Sequence, residues 1–199
     1  MINNKRIAIT GESSGIGQSC YNLFKIYDNK LFGFSRTSNC DLTVKENYNR
    51  ALSTILECDI FINNAYTVEY RMLQTDLLND IYDIWRHDSS KCILSVGSQA
   101  QYVTKTNVNE QRYATSKQML EATIDRLKYS DHMCGVLSVN PFWVNTPMYL
   151  RFKQSNPNYV PKSLLESAEV AEHIYHLIDL FYTHKINIYS SEIRKQLKY

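Results

Sequence analysis

Short apolar runs alternate along the chain with longer segments whose apolar side chains recur at helical spacing, the rhythm of repeated β-α units. Apolar runs bounded by turn residues predict strands over Lys5–Thr10, Lys30–Ser35, Asp59–Asn63, Lys91–Val96, Met133–Asn140 and Lys185–Tyr189. Amphipathic segments predict helices over Gly15–Tyr27, Lys45–Leu56, Gln74–Arg86, Gln111–Tyr129 and Ser167–Leu180. This order predicts an α/β fold: a doubly wound parallel sheet, Rossmann-like, in a single domain over residues 1–199. Cys40–Leu42 reads as one further short strand. Too few residues separate it from Lys30–Ser35 for a crossover helix, so an open loop is expected and that edge of the sheet is stripped down.

Residues 146–164 stand apart from this rhythm. Thr146–Leu164 carries Pro147, Pro157 and Pro161 together with Tyr149, Phe152 and Tyr159, which breaks regular structure while keeping apolar surface. A substrate-covering loop is expected there, with an ordinary connection packed on the body as the alternative. The same aromatics, with Phe142, would line an apolar pocket or join the core.

Composition narrows the function. Hydrophobic residues at 44% and charged residues at 21% describe a chain that folds. A formal net charge of +2 is too small for a dedicated nucleic-acid binder. The opening MINNKRIAITG has an apolar run too short for a signal peptide or a membrane span, so a cytoplasmic protein that binds no membrane is expected. Cys20, Cys40, Cys58, Cys92 and Cys134 stand singly, and His173 and His176 lack a third ligand nearby, so no metal site is expected.

Two segments carry chemistry. Thr10-Gly11-Glu12-Ser13-Ser14-Gly15-Ile16-Gly17 is a glycine-rich turn between a predicted strand and a predicted helix. Such a turn lets the backbone approach a pyrophosphate while the helix N-terminus favours its charge. Tyr113 and Lys117 fall one turn apart in a predicted helix, which sets a phenol beside an ammonium. A phenol of ordinary pKa ~10 must fall by about three pH units, about 4 kcal/mol, to exchange protons readily near neutrality. A neighbouring ammonium is the right kind of cause.

Taken together these segments resemble the short-chain dehydrogenase/reductase family, and the resemblance runs in order along nearly the whole chain. Thr10–Gly17 matches the T-G-x-x-x-G-x-G cofactor turn, and Asp41-Leu42 resembles the pair that contacts adenine. Asn63-Asn64-Ala65 resembles N-N-A-G. Ser98 stands in the place of the catalytic serine, with Ser95 as a competitor upstream, and Tyr113/Lys117 match Y-x-x-x-K. Asn140-Pro141, then Val144 and Thr146, resemble the segment that receives the nicotinamide carboxamide. Asn79 is the asparagine available for the family's proton-relay position. Two departures stand out: Tyr66 and Phe142 replace glycines of the family pattern.

The resemblance implies hydride transfer between nicotinamide and a carbonyl or hydroxyl carbon of a small-molecule carbonyl or alcohol substrate. It makes Tyr113 the acid/base, Ser98 its hydrogen-bonding partner on the substrate oxygen, and Lys117 the holder of the nicotinamide ribose. The implied cofactor contacts are Gly11, Ser13, Ser14, Gly15, Ile16, Gly17, Asp41, Leu42, Asn63, Asn64, Ala65, Tyr113, Lys117, Pro141, Val144 and Thr146. At the end of the second strand, Ser35, Arg36 and Thr37 replace the acid of NAD-using relatives. A guanidinium and two hydroxyls suit a 2′-phosphate, so NADP(H) is expected over NAD(H). By family analogy the assembly is a homodimer or homotetramer. A non-catalytic NADP(H)-binding sensor or scaffold is the alternative, motivated by Tyr66 and Phe142. The gap of three residues between Gly11 and Gly15, with no C-terminal substrate domain, counts against a sugar-nucleotide epimerase.

Overall fold

The first, third, fourth and fifth strands are almost wholly buried because they are covered on both faces, whereas the second is only partly buried. The computed structural model describes residues 1–102, 108–161 and 163–193. In chain order, β1 (Arg6–Thr10), α1 (Gly15–Lys25), β2 (Lys30–Phe34), α2 (Lys45–Leu56) and β3 (Ile60–Asn63) form the first half. There follow α3 (Leu73–Trp85), β4 (Cys92–Val96), a 3-10 turn (Gln99–Tyr102), α4 (Val108–Lys128) and β5 (Gly135–Pro141). The chain closes through β6 (Val144–Asn145), α5 (Pro147–Ser155), β7 (Leu165–Glu166), α6 (Ser167–His184) and β8 (Ser191–Ile193).

The main sheet runs β2-β1-β3-β4-β5-β8, with every pairing parallel. Strand alternation divides the core in two. Ile7, Ile9, Ile60, Ile62, Leu94 and Val139 face α1 and α6 over Phe24, Ile174, Ile178 and Phe181. Ala8, Phe61, Ile93 and Val136 face the other way, over Ala51, Ile55, Leu77, Ile81, Leu120 and Ile124 of α2, α3 and α4. The strand order reverses between β1 and β3, and this switch point opens a crevice at their carboxyl ends, where doubly wound sheets bind ligands.

Three expectations change. Cys40–Leu42 is a turn rather than a strand, closed by Asp41 Oδ1 accepting the backbone N–H and hydroxyl of Thr43. The stripped edge is present, and β2 is the outermost strand. The last strand is Ser191–Ile193 and not Lys185–Tyr189. Lys185 takes a left-handed conformation (φ 56°) that ends α6, and the Asn187 side chain occupies the Val136 N–H that a ladder would use.

The third change concerns 146–164, about half of which, Pro147–Ser155, is a helix rather than loop. Thr146 N-caps α5 by accepting the Tyr149 N–H, and Pro147 sits in the first helical position, where its missing N–H costs nothing. β6 and β7 pair in a small second sheet and bracket this helix. Trp143 packs against Tyr149, Phe152 and Tyr159 at ring separations of 5.7, 4.7 and 5.1 Å. The aromatics are therefore spent on one another as a local core. Lys162, within this stretch, lies outside the described residues.

Candidate active site

The glycine turn is built by steric necessity. Gly11 has φ +72°, and its N–H donates to Phe34 O at 2.9 Å, which fastens the turn to the end of β2. A Cβ on Gly17 would stand 2.2 Å from Gly11 O, so the first turn of α1 packs on the loop only because that side chain is missing. The N–H groups of Gly15, Ile16 and Gly17 open α1 and have no intrahelical acceptor, as at any helix start. Ser14 is the N-cap residue, and its hydroxyl makes no capping bond. Thr146 closes the other side, its Cγ2 lying 3.0 Å from the position of a Cβ on Gly15.

Thr10 latches β1 to the turn after β3. Its hydroxyl oxygen accepts the Asn64 and Ala65 N–H groups, each at 3.0 Å, and Asn64 Nδ2 donates to Thr10 O at 2.9 Å. Asn63 is fully buried, and its Nδ2 donates to Gln74 O. Both asparagine side chains are thus occupied in holding the crevice open.

At the other end of the crevice stands a carboxylate that the motif comparison passed over. Glu12 extends across Gly33, where a Cβ would lie 2.3 Å from its Cγ, and Glu12 Oε1 accepts the Ser35 hydroxyl at 2.8 Å. Glu12 Oε2 is buried with no partner. Arg36 and Thr37 are exposed on the rim. Asp41 is partly exposed and held below the usual carboxylate range, first by the Thr43 N–H and hydroxyl and last by Arg36. Leu42 beside it is buried.

The titratable groups gather where α4 crosses the end of β4. Ser98 lies just past that strand, close enough to Tyr113 to pull its phenol pKa down, while its Oγ accepts the Ala100 N–H. Ser95 is 1% exposed inside β4, with its Oγ partnerless in a buried row with Asn63 and Ser138, so it is not the serine that meets Tyr113. Lys117 Nζ donates to Gln74 Oε1 at 2.6 Å and to Val96 O at 2.7 Å, which leaves one of its three N–H donors for a ligand hydroxyl.

Lys117 does not depress Tyr113 as expected. Burial pulls the Lys117 ammonium down to about 7, so at neutral pH it carries only part of a charge. Burial pushes the Tyr113 phenol up, Ser98 pulls it back and Tyr66 pushes it up again. Tyr66 stands edge-on to Tyr113 at 4.8 Å between ring centroids, and its own hydroxyl is buried without a partner. The side chain in the position of the family pattern's glycine therefore packs against Tyr113.

Asn79 does not occupy the relay position. Its Oδ1 accepts from Arg126 on the outside of α4, and it lies five residues from Gln74, about 140° around α3. Gln74 is the residue of α3 that meets Lys117. Its Nε2 also donates to Asn63 O at 2.8 Å and Val96 O at 3.1 Å, which ties the ends of β3 and β4 together. A glutamine in the first turn of a helix that otherwise buries Leu77, Leu78 and Ile81 was the available signal in the sequence. Pro141 ends β5, and Val144 and Thr146 follow it toward the glycine turn. Phe142 is 38% exposed, so its ring does not enter the crevice core.

Among the described residues no cluster of three metal-binding side chains occurs, and His173 Nε2 is bonded to Ser191 Oγ. No described helix is long and apolar enough to cross a membrane.

A glycine-rich turn at the switch point, with a serine, tyrosine and lysine at the same sheet end, accompanies a Rossmann-like fold of the short-chain dehydrogenase/reductase type. Solved structures share it over nearly the whole chain. The 3-alpha-hydroxysteroid dehydrogenase of Pseudomonas sp. B-0831, complexed with NADH, superposes with a TM-score of 0.77 at 19% identity, covering 94% of this chain and 95% of that one. Levodione reductase gives 0.73 at 16% identity, covering 98% and 97%. An alcohol dehydrogenase of the archaeon Thermococcus sibiricus, complexed with 5-hydroxy-NADP, gives 0.70 at 15% identity, covering 98% and 99%. No family model and no curated protein matches the sequence.

Proposed function

We propose that the protein is an oxidoreductase that uses a nicotinamide dinucleotide to reduce a carbonyl, or oxidise an alcohol, of a small substrate. The observation that carries this reading is Tyr113 one turn from Lys117, whose Nζ lies 5.6 Å from the phenol ring, beside Ser98 at the sheet end that also holds the glycine turn. The cradle fits the group: Gly11 and Gly17 admit a pyrophosphate to the backbone, and the α1 N-terminus offers it three N–H donors. The nicotinamide, when bound, supplies or accepts the hydride.

The chain's own residues move the proton. In reduction, Ser98 and Tyr113 hold the substrate oxygen, and Tyr113 gives up its phenolic proton as negative charge develops on that oxygen. Ser98 favours the phenolate left behind. Burial keeps the phenol protonated at neutral pH, so the charge that develops on the substrate oxygen must draw the proton from it. Lys117, fixed by Gln74 and Val96 O, offers its remaining donor to a ribose hydroxyl.

The neighbours named above are dehydrogenases and a reductase, which supports the reading as analogy of fold. Tyr113→Phe tests it. Turnover on a panel of carbonyl compounds, followed through nicotinamide absorbance, should fall by about 10²- to 10⁴-fold, with cofactor affinity within about twofold of wild type. A variant that keeps the wild-type kcat refutes the role. The partnerless Tyr66 hydroxyl and a Lys117 already bonded twice favour a second reading, a dinucleotide-binding sensor without turnover. Binding without turnover in wild type would select it.

A further inference from the structure

We propose that Glu12 sets the cofactor preference, selecting the dinucleotide without a 2′-phosphate. The inference rests on the oxidoreductase reading and names the group that chooses its cofactor. In dinucleotide-binding folds an acid about twenty residues beyond the glycine turn, at the end of the second strand, receives the ribose 2′-hydroxyl. In this chain Ser35 stands at the end of that strand, and on sequence alone Ser35, Arg36 and Thr37 favour NADP(H). The structure returns a carboxylate to the neighbourhood from inside the glycine turn itself.

Three observations place it. The Gly11 N–H is bonded to Phe34 O, so residue 12 is held against the end of β2. Gly33 leaves the space through which the Glu12 side chain passes; any Cβ there would meet Glu12 Cγ at 2.3 Å. The Ser35 hydroxyl donates to Glu12 Oε1, which fixes the carboxylate and occupies the hydroxyl proton that a phosphate would have required. Glu12 Oε2 remains buried and partnerless. A buried acceptor without a donor is costly, and a ribose hydroxyl supplies the donor. A 2′-phosphate supplies only acceptors and like charge.

Arg36 is the counterargument, and its surroundings weaken it. Its side chain is exposed, and its charge is shared with two carboxylates, Asp41 and Glu69, both of which it helps hold in the ionised form. An exposed guanidinium shared with two other carboxylates stands against one fixed carboxylate, Glu12, bonded to Ser35 at the end of β2. The fixed charge decides, and the preference is for NAD(H).

Calorimetric titration of NADH and NADPH into the wild type and Glu12→Gln tests this without turnover. Glutamine keeps an oxygen to accept from Ser35 and removes only the charge. Wild type should bind NADH at least about tenfold tighter, and Glu12→Gln should shift the NADH/NADPH affinity ratio toward NADPH by about 10- to 100-fold, as expected for removing one like charge at partly screened range. Glu12→Ala should shift the ratio the same way while weakening both cofactors. Wild type preferring NADPH overturns the proposal whatever the variants do, including if they fail to fold. Both cofactors binding with a ratio indifferent to Glu12 overturns the proposal alone; neither binding overturns the oxidoreductase reading with it.

Discussion

Lys117→Met should make the fold less sensitive to pH and more stable in mild acid. The Lys117 side chain is 3% exposed, and burial moves its pKa from 10.5 to about 7. At about 1.4 kcal/mol per pH unit, holding it as an ammonium in the folded chain costs up to about 5 kcal/mol. The two carbonyl acceptors, Gln74 Oε1 and Val96 O, are already part of that balance. Their loss of a donor in the variant costs about 1–3 kcal/mol. The sign follows from linkage: between about 7 and 10.5 the unfolded chain holds a proton on Lys117 that the folded chain has released. Wild-type stability therefore rises with pH through this window, and the penalty is fully present below it. Above pH 9 the buried thiols of Cys20, Cys58 and Cys134, pushed up to about 12, 11 and 12 by burial, work in the opposite direction, which confines the useful range to lower pH. Urea unfolding of both proteins from about pH 6 to 8.5 checks this. The variant should lead at the acid end, with wild type gaining about 1–2 kcal/mol on it by the alkaline end. A wild-type minus variant difference flat with pH would refute the placement of Lys117 as a buried, half-neutral amine.

Gly17→Ala should abolish dinucleotide binding by calorimetry and lower the thermal midpoint, because its Cβ would lie 2.2 Å from Gly11 O and the turn must open to admit it. Thr146→Ala removes the α5 N-cap and should cost about 1 kcal/mol, read as faster amide exchange in 147–155 against unchanged exchange in β1 and β3.

The fold was legible wherever burial on both sides wrote itself into composition. The apolar runs of β1, β3, β4 and β5 supply both halves of the core, because two helical layers must be served at once. The misreadings fall where one residue type has two uses. Pro147 reads as a breaker but opens a helix behind Thr146, and Ile186 with Ile188 reads as strand although Asn187 takes the neighbouring backbone donor with its side chain. In the site, the motif residues Gly11, Gly17, Ser98, Tyr113 and Lys117 lie together at the sheet end expected of them. Glu12 and Gln74 escaped because their significance is spatial. One depends on the absence of a side chain at Gly33, the other on the ends of two strands that only the folded sheet brings together.

The outermost position of β2 has a consequence for association. With no strand beyond it, one side of Lys30–Phe34 presents backbone donors and acceptors that a second sheet could extend, the usual route to edge-to-edge aggregation. The strand is five residues long, its first residue is an exposed lysine, and Lys30 and Arg6 both lie over the Phe32 ring, at 5.4 and 5.2 Å. Two copies aligned along this edge would bring their Lys30 and Arg6 side chains together over the partly exposed Phe32 rings, so the outermost strand is also one that resists pairing with its own kind.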